Sequence, residues 1–201
     1  MASLPEIVLA STSRYRRELL ARLGLPFRVR APACDEEALK AELRGHGAAL
    51  APEALTARLA LAKAESLRGD EAAATIIGSD QVAALGAGVL EKPGTVERAI
   101  LQLEMLAGRT HVLVTAVAVV QAGSTLEHVD ITRLTMRALT REQIERYVAA
   151  DSPLDCAGSY KLEQRGVTLF ERIESADHSA VTGLPLIALT SMLASIGYPV
   201  P

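Results

Sequence analysis

Three arginines stand at the start of a predicted helix, directly after a serine-rich turn. Ser11 and Ser13 are good N-caps for this helix, and Arg14, Arg16 and Arg17 occupy its first turn. Arginines there oppose the helix dipole, which places about half a positive charge at the N-terminus. The same position favours anions, because free backbone N–H groups point towards it. The segment is therefore either a phosphate site, with Arg14 the least involved, or a solvated basic turn.

Carboxylates follow two predicted strands. Asp80 ends the apolar stretch 74–79, and the pair Asp35 and Glu36 comes after the predicted strand 27–31. Ligands of open α/β sheets bind outside the carboxyl ends of strands, where a carboxylate can hold Mg²⁺ or accept a proton from water. The alternatives are a turn or N-capping aspartate at 80 and an ordinary surface acid pair at 35 and 36.

Two lysines occupy positions that invite a similar question. Lys63 continues the spacing of Leu55 and Leu59 on a predicted helix, so it either extends along that apolar face to solvent or meets a buried anion. Lys92 precedes Pro93 and is either a functional lysine or an ordinary turn residue.

The loop 156–166 begins Cys-Ala-Gly-Ser, whose small residues allow close backbone approach. Its Lys161 and Glu163 could face a ligand, although loop composition alone does not decide this. Cations and carboxylates that gather at strand ends and helix starts are what a metal-dependent phosphate-ester or anhydride enzyme needs.

The composition limits the classes of protein that fit. The chain has 201 residues and is 49% apolar, which is enough for one well-buried domain, and its net charge of −3 argues against a nucleic-acid or membrane-surface binder. Cys34 and Cys156 are too few and too far apart for a disulfide framework. There is no Walker A sequence and no stretch of the roughly 18 apolar residues that a membrane span requires. Since the first residues do not resemble a signal peptide, we expect a cytoplasmic protein.

Predicted strands and helices alternate along the chain, which indicates an α/β fold. We predict strands at 6–10, 27–31, 74–79, 111–120, 126–137 and 166–173. We predict helices after the serine turn, at 52–67, at 95–106, from Thr140 onwards and at 186–196. A hairpin or bulged turn is predicted at 82–90, and the long strand pair at 111–137 indicates that part of the sheet is antiparallel.

Eight motifs occur in a fixed order along the chain: L-A-S-T-S-x-x-R-R, D-E, A-x-x-K-A (60–64), G-S-D-Q-V, E-K-P, C-A-G-S-Y-K, G-V-T-L-F-E-R and G-L-P-L. This set spans about residues 6 to 195 and resembles the Maf family of nucleoside triphosphate pyrophosphatases. Tyr15, Gln81 and Glu163 resemble the branch of that family that hydrolyses 7-methyl-GTP. The branch that hydrolyses dTTP and UTP is expected to carry Arg, Thr and Gln at those three places.

The resemblance implies a fold and an assembly. The expected fold is a single α/β domain over 1–201, with an elongated mixed sheet flanked by helices, similar to inosine triphosphate pyrophosphatase, and an active-site cleft between two lobes. A homodimer and a small nucleotide substrate are implied as well, without nucleic acid or membrane as partners.

The resemblance also implies roles for individual residues. Phosphate would be bound by Ser11, Ser13, Arg16 and Arg17. A divalent cation, Mg²⁺ or alternatively Mn²⁺ or Co²⁺, would be held by Glu36 and Asp80, with Asp80 as the general base. Lys63 and Lys92 would neutralise charge on the phosphates. Selectivity for the nucleobase of the substrate would depend on Tyr15, Gln81 and Glu163.

Three functions remain open at this point. The first is hydrolysis of 7-methyl-GTP to 7-methyl-GMP and pyrophosphate, which clears a modified nucleotide. The second is the same reaction on dTTP or UTP. The third is a nucleotide-binding regulator of growth or division whose hydrolysis is incidental, although a pure binder would not need a water-activating aspartate.

Overall fold

Seven strands and seven α-helices make up the regular structure of residues 4–45 and 50–200, which the computed structural model describes. The strands are β1 (Ile7–Ala10), β2 (Phe27–Arg30), β3 (Thr75–Leu85), β4 (Gly88–Leu90), β5 (Thr110–Gln121), β6 (Ser124–Met136) and β7 (Phe170–Glu174). The helices are α1 (Arg14–Ala21), α2 (Glu36–Gly45), α3 (Pro52–Glu65), α4 (Val96–Leu106), α5 (Arg141–Asp151), α6 (His178–Thr182) and α7 (Leu186–Ser195). Short 3-10 helices cover Ala157–Ser159 and Arg165–Leu169.

One mixed sheet contains these strands in the order β2-β1-β3-β5-β6-β7, with β4 paired to β3. β1 runs parallel to β2 and β3, and its residues are buried throughout, as expected for a central parallel strand. β4 pairs antiparallel with β3, and β7 pairs antiparallel with β6. The predicted α/β fold with a mixed sheet flanked by helices is confirmed.

The chain divides into two compact units. The first contains Met1–Asp80, Thr115–Asp130 and Asp177–Pro201, and the second contains Gln81–Val114 and Ile131–Ala176. In the first unit, Leu9, Leu20, Ile77 and Leu193 belong to one buried apolar cluster. In the second unit, α4 and α5 pack together. Among the described residues, no helix has the length and apolar character to cross a membrane.

Side-chain caps explain why three predicted helices begin where they do. The hydroxyl oxygens of Ser13 and Thr95 accept hydrogen bonds from backbone N–H groups in the first turns of α1 and α4. Thr140 and Gln143 form a capping box at the start of α5. These helix starts, expected at the serine turn, at residue 95 and at Thr140, are confirmed.

Two strand predictions need correction. Residues 165–169 form a 3-10 helix rather than the first half of a strand, because Gly166 folds back so tightly that its N–H donates to the Lys161 carbonyl at 3.0 Å. The strand predicted at 74–79 continues to Leu85, and the predicted hairpin therefore begins inside β3. Helices α2 and α6 were not predicted.

Candidate active site

β1 and β3 place the first polar residues of the site. Ala10 lies beside Gly78 in the parallel register, so Ser11 follows on β1 where Ser79 follows on β3. Ser11 and Asp80 are both buried. Asp80 does not end its strand as predicted; it lies inside β3, just beyond the level at which β1 ends.

Lys63 reaches Asp80 because α3 packs very closely on β3. A Cβ at Gly78 would lie only 2.2 Å from the backbone oxygen of Ala60 and 2.7 Å from the nitrogen of Ala64, so this contact requires glycine. The close approach brings Lys63 Nζ within 2.6 Å of Asp80 Oδ1, and both side chains are buried. Of the two alternatives for Lys63, the one in which it meets a buried anion is confirmed.

The two acidic residues at 35 and 36 make different contacts. The Asp35 carboxylate accepts a hydrogen bond from the backbone N–H of Ala38 at 2.9 Å and thereby caps α2. Glu36, the first residue of α2, turns to the lysine, with its Oε2 3.2 Å from Lys63 Nζ. One ammonium group therefore contacts two carboxylates from different elements.

The three arginines of α1 have different surroundings. Arg14 is exposed and pairs with Glu18 one turn later, as expected for the least involved of the three. Arg17 is also exposed. Arg16 instead donates from Nε to the backbone oxygen of Gly183 at 2.9 Å. Of the three side chains, Arg16 is therefore the one that turns into the protein.

Arg16 shares the electrostatic environment of the carboxylates. Burial lowers the pKa of its guanidinium, and attraction to Asp80 and then to Glu36 opposes that shift. Two cations, Arg16 and Lys63, thus balance two carboxylates in one part of the first unit. The pKa of the neighbouring Cys34 thiol is raised, first by burial and then by Glu36, so this free cysteine is a poor nucleophile.

The serines of the turn support the start of α1. Ser11 Oγ accepts a hydrogen bond from the N–H of Ser13 at 3.1 Å, and Ser13 Oγ accepts one from the N–H of Arg16 at 3.4 Å. The serines therefore order the turn that carries Arg16, in agreement with the predicted N-cap. Tyr15, the next residue after Arg14, is half-buried.

The second unit holds the other predicted lysine. Lys92 is exposed and precedes the buried Pro93, and the N–H of Gly94 donates to the carbonyl of Leu154 at 3.0 Å. Gln102 of α4, a residue not predicted to belong to the site, donates from Nε2 to the Glu91 carbonyl at 2.7 Å. The turn that carries Lys92 is thus tied down on both sides.

Gln102 also holds the small-residue turn at 157–159. Its Oε1 accepts a hydrogen bond from the hydroxyl of Ser159 at 2.6 Å. Ser159 is fully buried and has a φ of 61°, a left-handed conformation that strains a residue other than glycine. The only sequence signal for this contact was a glutamine between two leucines, Leu101 and Leu103, of the predicted amphipathic helix.

The other three predicted residues, Lys161, Glu163 and Gln81, belong to the second unit. Lys161 does not extend freely towards a ligand, because its Nζ donates to the carbonyl of Ser152 at 3.2 Å and pairs with Asp155. Glu163 is exposed, whereas Gln81, which directly follows Asp80 in the chain, is half-buried.

The cluster in the first unit suits the chemistry of phosphates. Cations hold and neutralise phosphate oxygens, and a buried carboxylate accepts a proton from water. Asp80 Oδ1 bonds to Lys63, while Oδ2 accepts no hydrogen bond within the described ranges. In the same ranges, no group of three or more His, Cys, Asp and Glu side chains could hold a metal ion by itself. A cation here would need ligands beyond the two carboxylates.

Comparisons with known proteins identify the family of this chain. A family model described as Maf-like protein matches residues 6–196. The 7-methyl-GTP pyrophosphatase of Bdellovibrio bacteriovorus is 46% identical over 94% of this chain and 95% of its own length. Proteins with the same name from Pseudomonas putida and Thiobacillus denitrificans are 47% and 48% identical, over 97% and 98% of this chain and 98% and 94% of their own lengths. The chain therefore belongs to the Maf family.

Proposed function

We propose that this protein hydrolyses the α–β phosphoanhydride of 7-methyl-GTP and releases 7-methyl-GMP and pyrophosphate. The single observation that carries the chemistry is the buried contact of Lys63 with Asp80, next to Glu36 and Arg16. The choice of substrate is supported by the names of the relatives, which match nearly the whole chain.

In the proposed reaction, water attacks the α-phosphorus and the bond to the bridging oxygen of the β-phosphate breaks. Asp80 accepts the proton of the water, and its Oδ2 is the oxygen with capacity for it. Lys63 and Lys92 neutralise negative charge that develops on the phosphate oxygens, while Arg16 and Arg17 hold them. Pyrophosphate leaves as the displaced group, so positioning and charge neutralisation are the main tasks of the protein.

Glu36 and Asp80 fit a role as ligands of a divalent metal ion. Mg²⁺ is commonly bound by one or two protein carboxylates, with substrate phosphates and water as the other ligands, and the two carboxylates here lie close together because both contact the Lys63 ammonium. When bound, Mg²⁺ or a similar ion supplies further positive charge to the phosphates. Mn²⁺ and Co²⁺ are the alternatives.

We assign selectivity for the nucleobase of the substrate to Tyr15, Gln81 and Glu163. A 7-methylguanine ring carries a positive charge and presents N1–H and N2–H₂ donors, which suit the carboxylate of Glu163. Tyr15 supplies an aromatic face for the same cationic ring. Homodimer formation and a cytoplasmic location stay predictions, and light scattering of the purified protein tests the first.

The experiment is pyrophosphate release with Mg²⁺ from 7-methyl-GTP, GTP, dTTP and UTP at equal concentrations, with and without a chelator. We expect a clear preference for 7-methyl-GTP and loss of release on chelation. Asp80→Asn, which removes the proposed general base, is the negative control. Its turnover should fall by about 100-fold or more while the folded structure is retained. A preference for dTTP or UTP would overturn the substrate, and tight nucleotide binding without release would favour a regulator.

A further inference from the structure

One backbone oxygen links Arg16 to the strand that carries Asp80. The carbonyl oxygen of Gly183 accepts hydrogen bonds from Arg16 Nε and from Ser79 Oγ, each at 2.9 Å. Ser79 is fully buried and precedes Asp80 in β3. This hydrogen bond restricts the orientation of the guanidinium, and its two terminal nitrogens form no hydrogen bond to the described residues. Two terminal nitrogens of this kind form one of the donor pairs by which a guanidinium binds a phosphate bidentately.

The position of Gly183 is itself fixed by a buried carboxylate. Asp177 accepts hydrogen bonds from the N–H and the hydroxyl of Ser179 and, at 2.8 Å, from the N–H of Ile187. Ser179 Oγ in turn accepts one from the N–H of Leu186 at 2.8 Å. Both ends of the segment 177–187 are therefore tied together.

Gly183 adopts a conformation that favours glycine. Its φ is +114°, and a side chain there would be strained even though the space around it is sufficient. Gly183 also ends α6 as its C-cap, so the turn presents its carbonyl oxygen at a defined place. Any residue that moves this turn moves the acceptor of Arg16.

We infer that Ser79 is a positioning residue, which acts through the Gly183 carbonyl to hold the Arg16 guanidinium in the orientation that binds the substrate's phosphates. The inference rests on the proposed function, because it takes Arg16 as a phosphate ligand. Ser79 itself does not contact phosphate in this role. Its hydroxyl and the Arg16 Nε–H donate to the same carbonyl oxygen, that of Gly183.

A double-mutant cycle of Ser79→Ala and Arg16→Lys tests this inference. Lysine keeps the positive charge, but it lacks the planar guanidinium and the Nε–H that donates to the Gly183 carbonyl. The readouts are KM and kcat for 7-methyl-GTP and the binding of pyrophosphate with Mg²⁺ by calorimetry, which does not require turnover. We expect Ser79→Ala to raise KM and to weaken pyrophosphate binding by about three- to tenfold, as for one lost hydrogen bond, with kcat within about twofold. In the Arg16→Lys background the same change should have almost no effect.

Thr56→Val is the matched control. Thr56 is also fully buried, and its hydroxyl donates at 2.6 Å to a backbone carbonyl, that of Pro52, which lies outside the segment 177–187. It should lower stability to a similar extent as Ser79→Ala without a change in pyrophosphate affinity.

Three results would overturn the inference. Equal effects of Ser79→Ala in both backgrounds would show a role independent of Arg16, such as support of Asp80. An equal loss of affinity in Thr56→Val would show that lower stability, and not the position of the Gly183 carbonyl, weakens binding. If Arg16→Lys alone leaves KM and pyrophosphate binding unchanged, Arg16 is not a phosphate ligand, and that part of the proposed function fails together with the inference.

Discussion

Lys63 and Asp80 form a buried ion pair, with Nζ 2.6 Å from Oδ1 and side chains only 7% and 10% exposed. Glu36, at 3.2 Å from the same Nζ, adds a second negative charge. A buried cation between two carboxylates compensates their repulsion and their loss of hydration. Its removal leaves an uncompensated buried charge, which is far more destabilising than the loss of an exposed pair.

Lys63→Met should therefore lower the free energy of unfolding by about 3 kcal/mol and strongly reduce pyrophosphate release. Arg172→Met is the comparison, because Arg172 and its partner Glu174 are 69% and 44% exposed and their pair should contribute less than about 1 kcal/mol. Urea denaturation measures both. Equal stability of the two variants would contradict the assignment of Lys63 as the compensating charge.

Glu163→Gln should reduce the preference for the methylated purine. Both bases offer the N1–H and N2–H₂ donors, but only the methylated ring is cationic. Loss of the carboxylate charge should therefore lower kcat/KM for 7-methyl-GTP relative to GTP by about tenfold, or about 1.4 kcal/mol. Glu171→Gln, a change at another exposed glutamate of the second unit, should leave the ratio unchanged. An unaltered ratio in Glu163→Gln would remove this residue from base choice.

Gln102→Glu tests whether the tie between the Lys92 turn and α4 matters for activity. Glutamate can still accept from the Ser159 hydroxyl, but it loses the N–H that donates to the Glu91 carbonyl. We expect kcat/KM to fall by about three- to tenfold, and by less than twofold in a Lys92→Met background, because the tie acts through that lysine.

Glu104→Gln on the same helix is the control for Gln102→Glu. Glu104 pairs with Arg141 at the surface, so its substitution should not alter activity. If Gln102→Glu lowers activity equally with and without Lys92, the glutamine supports the fold rather than the lysine.

The fold was predictable where local signals and tertiary packing agree. Thr95 and Thr140 are strong N-caps at the start of amphipathic segments, and the structure begins α4 and α5 there. Residues 166–169 are rich in strand-forming types, yet a tight turn onto Lys161 overrides that preference. The predicted strand ends at residue 79, whereas β3 continues to Leu85. The alanines after Val82 favour no strand by themselves, so the sequence does not reveal this continuation.

The candidate site was predictable from charged side chains but not from the groups that hold them. The sequence indicates charged residues near strand ends and on an apolar helix face, namely Lys63, Glu36 and Asp80. The structure brings these side chains together. Ser79 and Gly183 carry no such signal, because their hydrogen bond joins residues 104 positions apart and one partner is a backbone oxygen. Such contacts follow from the tertiary structure rather than from any local pattern.

His111 makes stability sensitive to acid. It is buried beside the rings of Tyr160 and Phe170, and its Nε2 lies 2.9 Å from the Tyr160 hydroxyl. Burial lowers the pKa of His111 from its ordinary value of 6.5 to about 4. The unfolded chain therefore binds a proton more tightly than the folded one. The stability that depends on neutral His111 is fully present above pH 6.5 and is lost as the pH falls towards 4.

His111→Phe should flatten this loss of stability between pH 6.5 and 4. The variant keeps an aromatic ring but cannot take up a proton, and the wild type should lose up to about 3 kcal/mol more than the variant over that interval. His128→Gln, at an exposed histidine, should behave as the wild type. Urea denaturation at pH 7, 5.5 and 4.5 provides the comparison. Parallel pH profiles for wild type and His111→Phe would mean that other groups govern the acid sensitivity, because only the buried imidazole distinguishes the two proteins.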